Sequence, residues 1–246
     1  MSRILLGVDV GGSSVKAGLV DVDQGQLVGE LVSAPTPRNS TPDAVVKTVA
    51  GLGHQLPPSS GPIGVALPSV IRHGKVRTAA NIDASWLGID GATLVHESIG
   101  RSTVLINDAD AAGVAEMRFG AGRGHMGPVV MLTFGTGIGS ALFIDGKLYP
   151  NTELGHLQLH GIDAEKFASA RVRTELGLDF PGWVARVNEY LERMHALLWP
   201  DIFILGGAVS ERFDEFAPLL RSEAEIRPAH FAGQAGVIGA ALTAAE

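Results

Sequence analysis

The chain contains no cysteine, carries charge on only 18% of its 246 residues, and has no apolar run of about 18 residues. Without cysteine it can form neither a disulfide nor a thiolate zinc site. Without a long apolar run, the sequence predicts no membrane span. Hydrophobic residues make up 46% of the chain, which argues against disorder and is enough for one large or two modest domains.

Two further absences narrow the function. The formal net charge of −7 disfavours general affinity for nucleic acid. No charged leader with a cleavage site precedes the first apolar segment, so a cytoplasmic location is expected. Neither the Gly-x-x-x-x-Gly-Lys-Ser/Thr P-loop nor a Gly-x-Gly-x-x-Gly opening a helix is present, which argues against those two nucleotide folds.

What the chain does contain is a glycine-rich loop between two apolar runs. It reads Thr133-Phe134-Gly135-Thr136-Gly137-Ile138-Gly139-Ser140, with Val129–Leu132 before it and Ala141–Ile144 after it. This pattern predicts a β-hairpin. Three glycines at alternate positions let a backbone approach a ligand closely, and the exposed N–H groups of such a loop suit an anion. The segment therefore predicts a phosphate-binding loop, with a plain tight turn as the alternative.

A second loop of this kind lies near the start of the chain. The apolar strand Ile4–Val8 leads into Asp9-Val10-Gly11-Gly12-Ser13-Ser14-Val15-Lys16, and a second strand follows. The acid before the turn can hold a metal ion through water, and the lysine after it can neutralise phosphate. Gly-Gly alone is also typical of an ordinary hairpin turn, so the two loops support each other as a pair.

The remaining pattern alternates strands and helices. Apolar runs predict strands at 15–20, 27–32, 63–67, 104–106 and 201–205, and helices at 42–56, 109–119, 181–199 and 233–242. Thr41 is expected to cap the first helix, with Pro42 in its first turn. The helix 181–199 is expected to bury one face. That face comprises Trp183, Val184, Val187, Leu191, Met194, Leu197 and Leu198.

Several of these motifs together resemble a known family. The two glycine loops and the segment Ile204-Leu205-Gly206-Gly207-Ala208 are similar to the phosphate and nucleotide motifs of the actin-like ATPase superfamily. Asn107-Asp108-Ala109 and Glu153-Leu154-Gly155-His156 are similar to the sugar-site motifs of the ROK family of sugar kinases. Thr36-Pro37, Thr41-Pro42, the Asn81–Trp86 segment and Pro150–His156 resemble its polyphosphate glucokinase branch. The resemblance extends over essentially the whole chain.

The resemblance implies a fold and a domain organisation. The expected fold class is α/β, an actin-like (ribonuclease H-like) duplicated fold of two α/β domains with a cleft between them. The expected domains are residues 1–108, completed by the C-terminal helix 235–246, and residues 109–234. Many ROK proteins carry a cysteine-rich zinc motif after the Glu-x-Gly-His element, and this chain has none there, so no zinc is expected.

The resemblance also implies roles for individual residues. Glucose is expected to contact Asn81, Asn107, Asp108, Glu153, His156 and Glu165. The phosphoryl donor is expected to contact Asp9, Gly11, Gly12, Ser13, Lys16, Gly135, Thr136, Gly137, Gly139, Gly206 and Gly207. Asp9 is expected to hold Mg²⁺ through water, since Mg²⁺ keeps several waters and needs few carboxylates. His156 has the alternative of a buried structural histidine.

Asp108 is the expected catalytic residue. It follows an apolar strand, where open α/β sheets place their ligands, and its carboxylate can accept the proton of a sugar hydroxyl. Its structural alternative is an N-cap of the helix that starts at Ala109, and the sequence pattern alone leaves the two roles equal. The match of Asn107-Asp108-Ala109 to the ROK motif favours the catalytic role. Asp110 is then a first-turn helix acid.

The expected reaction is phosphorylation of the C6 hydroxyl of glucose by inorganic polyphosphate, giving glucose 6-phosphate. ATP as donor and mannose as acceptor stay open, and a non-catalytic sugar sensor is the alternative from another class. An acidic protein that binds a polyanion needs local cations. The candidates are Lys16, Arg118 and Arg123, with Arg72, Lys75 and Arg77 after them. The family further implies a homodimer, and no nucleic acid or membrane partner is expected.

Overall fold

The computed structural model describes residues 3–246, so Met1 and Ser2 of the predicted N-terminal domain lie outside the described residues. The chain divides into two compact units. The first runs to Phe119 and includes Gln234–Glu246, and the second is Gly120–Gly233. The sequence places the boundary earlier, between residues 108 and 109. The helix Asp108–Phe119 makes the difference, because it packs against the C-terminal helix, a contact that hydrophobic patterning does not reveal.

The first unit is built on a five-stranded sheet. Its elements up to residue 119 are β1 (Ile4–Val10), β2 (Ser14–Asp21), β3 (Gln26–Pro35), α1 (Pro42–Gly53), β4 (Ile63–Leu67), β5 (Ile71–Arg72), β6 (Lys75–Val76), α2 (Gly91–Ile99), β7 (Thr103–Asn107) and α3 (Asp108–Phe119). The strand order is β3-β2-β1-β4-β7. β1, β2 and β3 pair antiparallel, whereas β4 runs parallel to both β1 and β7.

The second unit is built on another five-stranded sheet. Its elements are β8 (Pro128–Phe134), β9 (Ile138–Ile144), β10 (Lys147–Tyr149), β11 (Gln158–Leu159), β12 (Ile162–Asp163), α4 (Glu165–Ala168), α5 (Ala170–Glu175), α6 (Phe180–Leu198), β13 (Ile202–Gly206), α7 (Phe213–Phe216) and β14 (Glu225–Pro228). The strand order is β10-β9-β8-β13-β14. The last helix, α8 (Ala235–Ala244), belongs to the first unit.

The two main sheets share one topology. In each, the first three strands form an antiparallel meander, and the fourth and fifth strands add parallel to the first. Each parallel strand requires a crossover through helical structure. The duplicated α/β unit implied by the family resemblance is therefore present in the strand order.

Two predicted helices show how local sequence sets the helix ends. The side chain of Thr41 accepts a hydrogen bond from the Ala44 backbone N–H at the start of α1, so that predicted cap is confirmed. Asp179 caps α6 in the same way. The buried face of α6 is as predicted for most positions, but Leu197 is 51% exposed, so its assignment to the core is wrong. The next residue, Leu198, is partly buried and still packs against the core of the second unit.

Small residues let α8 lie directly on the first sheet. A Cβ on Gly7 would collide with the Val237 carbonyl oxygen, and one on Gly64 would collide with the Ala240 carbonyl oxygen. The backbone of α8 therefore touches β1 and β4. Because α8 is buried along nearly its whole length, it is apolar on all sides.

None of the helices in residues 3–246 is both long enough and apolar enough to cross a membrane.

Candidate active site

The first glycine loop joins β1 to β2 in the first unit. The Gly11 backbone N–H donates to the Ser14 carbonyl oxygen over 3.0 Å and closes the turn. Asp9 and Lys16 are opposite each other in the β1–β2 register. Burial raises the pKa of Asp9 from its usual 3.8 to about 6, and the charge of Lys16 opposes that shift. The loop thus carries an acid that a nearby cation would stabilise in its charged form.

A Thr36 strap holds this loop in shape. The Thr36 hydroxyl donates to the Gly11 carbonyl oxygen over 2.6 Å, and its backbone N–H donates to the Ser13 carbonyl oxygen over 3.1 Å. With those carbonyls engaged, a Cβ added to exposed Gly12 would meet no protein atom within 4 Å. Gly12 also needs no left-handed backbone, so neither packing nor strain explains this glycine. Close approach of a ligand would explain it.

The Asn81–Trp86 segment is fixed to the same loop region. The Trp86 ring N–H donates to the Ser40 carbonyl oxygen over 2.8 Å, and the Asp83 backbone N–H donates to the Ser40 hydroxyl over 3.1 Å. Trp86 is buried in the core, whereas Asn81 is exposed. Thr36–Ser40 therefore connects the first glycine loop with the segment that was predicted to contact the sugar.

Asn107 and Asp108 lie where β7 passes into α3. Asn107 is 6% exposed and its amide oxygen accepts from the backbone N–H groups of Ala109 (2.9 Å) and Asp110 (3.0 Å). Its amide nitrogen donates to the Ser69 carbonyl oxygen over 3.2 Å. Asn107 is thus the helix cap, the role that the sequence left open for Asp108. The Asp108 carboxylate accepts from the Ala109 N–H over 2.9 Å and remains partly exposed.

The second glycine loop joins β8 to β9 in the second unit. Its three glycines have different surroundings. A Cβ on Gly135 would meet no protein atom within 4 Å, whereas one on Gly137 would collide with the Glu165 carboxylate. The Arg171 backbone N–H, in the first turn of α5, donates to the Gly135 carbonyl oxygen over 3.0 Å. Gly135 therefore faces open space, and Gly137 makes room for the side chain of Glu165, a residue predicted to bind the sugar.

The Gly206-Gly207 pair ends β13 beside the same loop. Gly207 has a left-handed backbone (φ 86°), and a Cβ there would collide with the Phe134 carbonyl oxygen. The Ser210 hydroxyl donates to the Gly207 carbonyl oxygen over 2.7 Å. A Cβ on Gly206 would lie 2.9 Å from the Met131 methyl group. Packing and backbone conformation account for both glycines, whatever their role toward the donor.

The predicted sugar motif lies against the start of β9. Ser140 donates its hydroxyl to the Thr152 carbonyl oxygen (2.8 Å) and accepts from the Leu154 backbone N–H (3.0 Å). Gly155 lies so close to the Ile138 carbonyl oxygen that a Cβ would collide with it. A short 3₁₀ turn at Leu154–His156 follows. These contacts fix the motif to the strand that leaves the second glycine loop.

Within the second unit, the structure brings the predicted acidic and histidine ligands together. His156 Nε2 is 3.6 Å from Glu153 Oε2, as the spacing of three residues predicts. Burial raises the pKa of Glu153, neighbouring His156 opposes that shift, and the charge of Glu165 adds to it. His156 is 46% exposed, so the alternative of a buried structural histidine is wrong.

Ligand atoms of His156, Asp163 and Glu165 all lie within 4.8 Å of one another, a grouping that could hold a divalent cation. The Lys166 ammonium, however, is 3.0 Å from Asp163 Oδ2 and already neutralises that carboxylate. Sequence reasoning missed Asp163. The signal was His160-Gly161 between two short alternating segments, which is typical of a two-residue hairpin turn and places Gln158 opposite Asp163.

Ser69, which belongs to none of the predicted motifs, is a buried polar residue near the end of β7. The Ser69 hydroxyl donates to the Thr78 carbonyl oxygen and its own carbonyl accepts from Asn107, so the buried side chain links the β5–β6 region to the end of β7. Of the predicted cations, Arg118 forms an ion pair with Glu246 (3.0 Å), while Arg123 is exposed. Arg72, Lys75 and Arg77 are exposed on or beside the β5–β6 hairpin.

Comparisons with known proteins agree with this geometry. The chain is 46% identical over 241 residues to a polyphosphate glucokinase of Mycobacterium tuberculosis (strain CDC 1551 / Oshkosh), covering 96% of this chain and 89% of the relative. The crystal structure of an inorganic polyphosphate/ATP-glucomannokinase from Arthrobacter sp. strain KM matches with a TM-score of 0.96 and 44% identity, covering 99% of this chain and 98% of that one.

A ROK family glucokinase from Streptomyces griseus, solved in complex with glucose and AMPPNP, matches with a TM-score of 0.81 and 25% identity, covering 97% of this chain and 98% of that one. These structural matches confirm the predicted actin-like ATPase fold class. The profile of the ROK family matches residues 5–171, more than half of the chain. By sequence and by fold, the chain belongs to the ROK family.

Proposed function

We propose that the protein transfers a phosphoryl group from inorganic polyphosphate to the C6 hydroxyl of glucose, giving glucose 6-phosphate. The 46% identity to a polyphosphate glucokinase over 96% of the chain supports this activity. The structural observation that carries the proposal is the contact of Glu165 with Gly137. Through it, the group of side chains suited to sugar hydroxyls adjoins a glycine loop suited to phosphate.

Glu153, His156 and Glu165 of the second unit are proposed to bind the sugar. In the first unit, Asn81, Asn107 and Asp108 are proposed to act toward the sugar. Carboxylates and an imidazole can bind vicinal hydroxyls, and buried polar groups left unpaired by a wrong sugar give strong discrimination. Asn107 is proposed to have a more limited role than the other residues of this group. Its side chain already makes three hydrogen bonds within the protein, so it would act mainly by holding Asp108 and α3 in place.

Asp108 is proposed as the general base. Its carboxylate would accept the proton of the C6 hydroxyl as that oxygen attacks the terminal phosphorus of the donor. Two observations support this role: Asn107 rather than Asp108 accepts from the Asp110 N–H as the helix cap, and Asp108 is partly exposed at the end of β7. The remaining chemistry is positioning and charge neutralisation, as in other phosphoryl transfers.

The donor is proposed to bind the N–H groups of the two glycine loops. Gly12 and Gly135 support this most directly, since neither packing nor backbone conformation requires glycine at either position. Asp9 would hold Mg²⁺ through water. Burial raises its pKa to about 6, so a bound cation would offset that shift by favouring the charged carboxylate. When bound, Mg²⁺ would neutralise charge on the phosphate oxygens.

A polyphosphate tail needs cations along its length. Of the candidates Arg118 and Arg123, Arg123 is the stronger, because Arg118 is already engaged by Glu246. Polyphosphate affinity should therefore fall as salt rises, by release of condensed counterions. Arg123→Ala should raise the polyphosphate KM and leave the glucose affinity unchanged, with Arg118→Ala as the matched control of smaller effect.

A second candidate function is the same transfer with ATP as donor or mannose as acceptor. The structural neighbour named as a polyphosphate/ATP-glucomannokinase favours it. A panel of long-chain polyphosphate and ATP against glucose and mannose, with hexose 6-phosphate as the readout, distinguishes these reactions. We expect turnover with polyphosphate and glucose. Turnover with ATP and none with polyphosphate would overturn the assignment of polyphosphate as the donor. Absence of hexose phosphate under every condition would overturn the proposed kinase activity.

The family resemblance further implies a homodimer and a cytoplasmic location, and both stay predictions. Light scattering coupled to size-exclusion chromatography would measure the mass of the particle, expected to be twice the 25.6 kDa of one chain.

A further inference from the structure

The imidazole of His156 lies between two carboxylates of the second unit. Its Nε2 is 3.6 Å from Glu153 Oε2, and its Nδ1 is 3.5 Å from Asp163 Oδ2. Glu153 and His156 belong to the proposed sugar subsite, but Asp163 belongs to no motif that the family resemblance supplied. The Asp163 side chain is 21% exposed, against 41% for Glu153, so Asp163 is the more buried of the two carboxylates.

Asp163 is itself held firmly. The Gln158 amide donates to Asp163 Oδ1 over 2.5 Å, and the Lys166 ammonium is 3.0 Å from Oδ2. The hydrogen bond from Lys166 is the main reason why the pKa of Asp163 is lowered. Gln158 and Asp163 are also partners in the β11–β12 ladder. The carboxylate therefore stays charged and its place is set by the hairpin.

The hairpin is built to keep that register. Its two turn residues, His160 and Gly161, both have left-handed backbones (φ 51° and 78°), as a two-residue turn of the primed type requires. In the turn itself, His160 Nε2 is 2.5 Å from Glu189 Oε1 on α6. The turn thus fastens the hairpin to α6, and the opposite end of the ladder presents Asp163 to His156.

We propose that Asp163 is a positioning residue for the hexose subsite, which fixes the orientation of the His156 ring by engaging Nδ1. The proposal rests on the proposed function, since it takes His156 as a sugar ligand. A ring flip would exchange Nδ1 with a carbon and lose the Asp163 pair, so the pair selects one ring orientation. Nε2 then stays on the side of Glu153. Pre-ordering a ligand side chain raises affinity, because less conformational entropy is lost on binding.

A double-mutant cycle tests the coupling. Asp163→Asn keeps the shape and removes the charge, and His156→Ala removes the ring. We expect Asp163→Asn to weaken glucose binding about 1.5- to fivefold by calorimetry, the range of a partly exposed ion pair. The polyphosphate KM should stay within about twofold. In the His156→Ala background, Asp163→Asn should have no further effect, because the two side chains act as one unit.

Glu189→Gln is the matched control. It removes the other histidine–carboxylate pair of the same hairpin without touching His156, and it should leave glucose affinity unchanged. If Asp163→Asn folds poorly in a thermal melt, Lys166→Met, which releases Asp163 from its other cation, serves as the second variant. It should weaken glucose binding less than Asp163→Asn, and again only when His156 is present.

The outcomes separate the two levels of the argument. Unchanged glucose affinity in His156→Ala would overturn the proposed sugar subsite itself. Two outcomes would overturn only the positioning role. In the first, His156→Ala weakens glucose binding but Asp163→Asn leaves it unchanged. In the second, both substitutions weaken glucose binding and their effects add in the double variant. Calorimetric titration of the wild type with Zn²⁺ alone is the third arm. Binding that Asp163→Asn abolishes would assign the His156, Asp163 and Glu165 group to a cation and overturn the positioning role.

Discussion

The first hairpins of the two units have the same place in the same sheet topology, but different chemistry. β1–β2 carries its own charges, Asp9 before the loop and Lys16 after it. The β8–β9 loop carries none, and a carboxylate reaches it from elsewhere, because Glu165 at the start of α4 lies against Gly137. One fold element is thus used once with built-in charge and once as an uncharged support for neighbouring side chains.

The glycines of the phosphate-like motifs differ in their surroundings. Gly12 and Gly135 face open space, Gly137 lies against the Glu165 carboxylate, and Gly207 lies against the backbone of Phe134. In sequence, all four look like parts of phosphate motifs. Only the surroundings separate a glycine that admits a ligand from one that admits another part of the protein.

The largest effect is expected in the first unit, at Asp108. Asp108→Asn should lower turnover by roughly 10²–10⁴-fold, because it removes the proposed general base. Glucose binding should remain measurable by calorimetry. Asp43→Asn, which removes a first-turn acid from α1, is the matched control and should leave turnover unchanged. Near wild-type turnover in Asp108→Asn would show that the base lies elsewhere.

The charged acid of the first loop should reduce stability at neutral pH. The folded pKa of Asp9 is about 6, above its usual 3.8, so the folded state binds more protons between these values. The free energy of unfolding should therefore carry no penalty from Asp9 below about pH 4. It should fall as the pH rises toward 6 and stay reduced at higher pH. From the pKa shift, Asp9→Asn should be more stable than wild type at pH 7.5, with an upper bound of roughly 3 kcal/mol. The gain should be smaller than this bound, because Asp9 is partly exposed and solvent screens its charge.

Denaturant melts of Asp9→Asn in magnesium-free buffer at pH 4.5 and pH 7.5 measure this effect, and the gain should shrink at the lower pH. Asp23→Asn is a control of opposite sign, because hydrogen bonds and the charge of Arg3 lower the pKa of Asp23. An Asp9→Asn variant that is less stable than wild type at pH 7.5 would contradict the account of the buried acid.

The smallest expected effect concerns the Thr36 strap. Thr36→Val removes the hydroxyl that holds the Gly11 carbonyl, a hydrogen bond worth about 0.5–1.5 kcal/mol. It should raise the polyphosphate KM roughly two- to tenfold, and Thr36→Ser should restore it. The second glycine loop is held instead by the backbone N–H of Arg171, which only substitution by proline would remove. An equal donor KM for the Val and Ser variants would show that the strap does not shape the loop.

Much of the fold could be predicted from local signals. Thr41-Pro42 predicted the start of α1, and the glycine loops predicted both hairpins. The helix α2 was missed, although Asp90 caps it and Gly100 ends it, because its apolar pattern is short. Elements as short as β11 and β12 are not detected from hydrophobic periodicity for the same reason.

The site was predictable in its residue types and less so in their partners. Spacing placed Glu153 and His156 together, since both lie on one short turn. The cap role of Asn107 and the Thr36 strap depend on contacts between distant segments, which no pattern in one sequence records. Asp163 was within reach through its hairpin signal, but its contact with His156 required the ladder register.

The proposal that Gly12 admits the donor, whereas Gly137 makes room for the Glu165 carboxylate, is tested most directly by Gly12→Ala beside Gly137→Ala. The polyphosphate KM from initial rates and the glucose Kd from calorimetry are measured for both variants. The account predicts that Gly12→Ala, whose methyl group enters open space, raises the donor KM and leaves glucose affinity unchanged. Gly137→Ala, whose methyl group displaces Glu165, should weaken glucose binding more than donor use. The reverse pattern, or equal losses in both quantities for both variants, would contradict it.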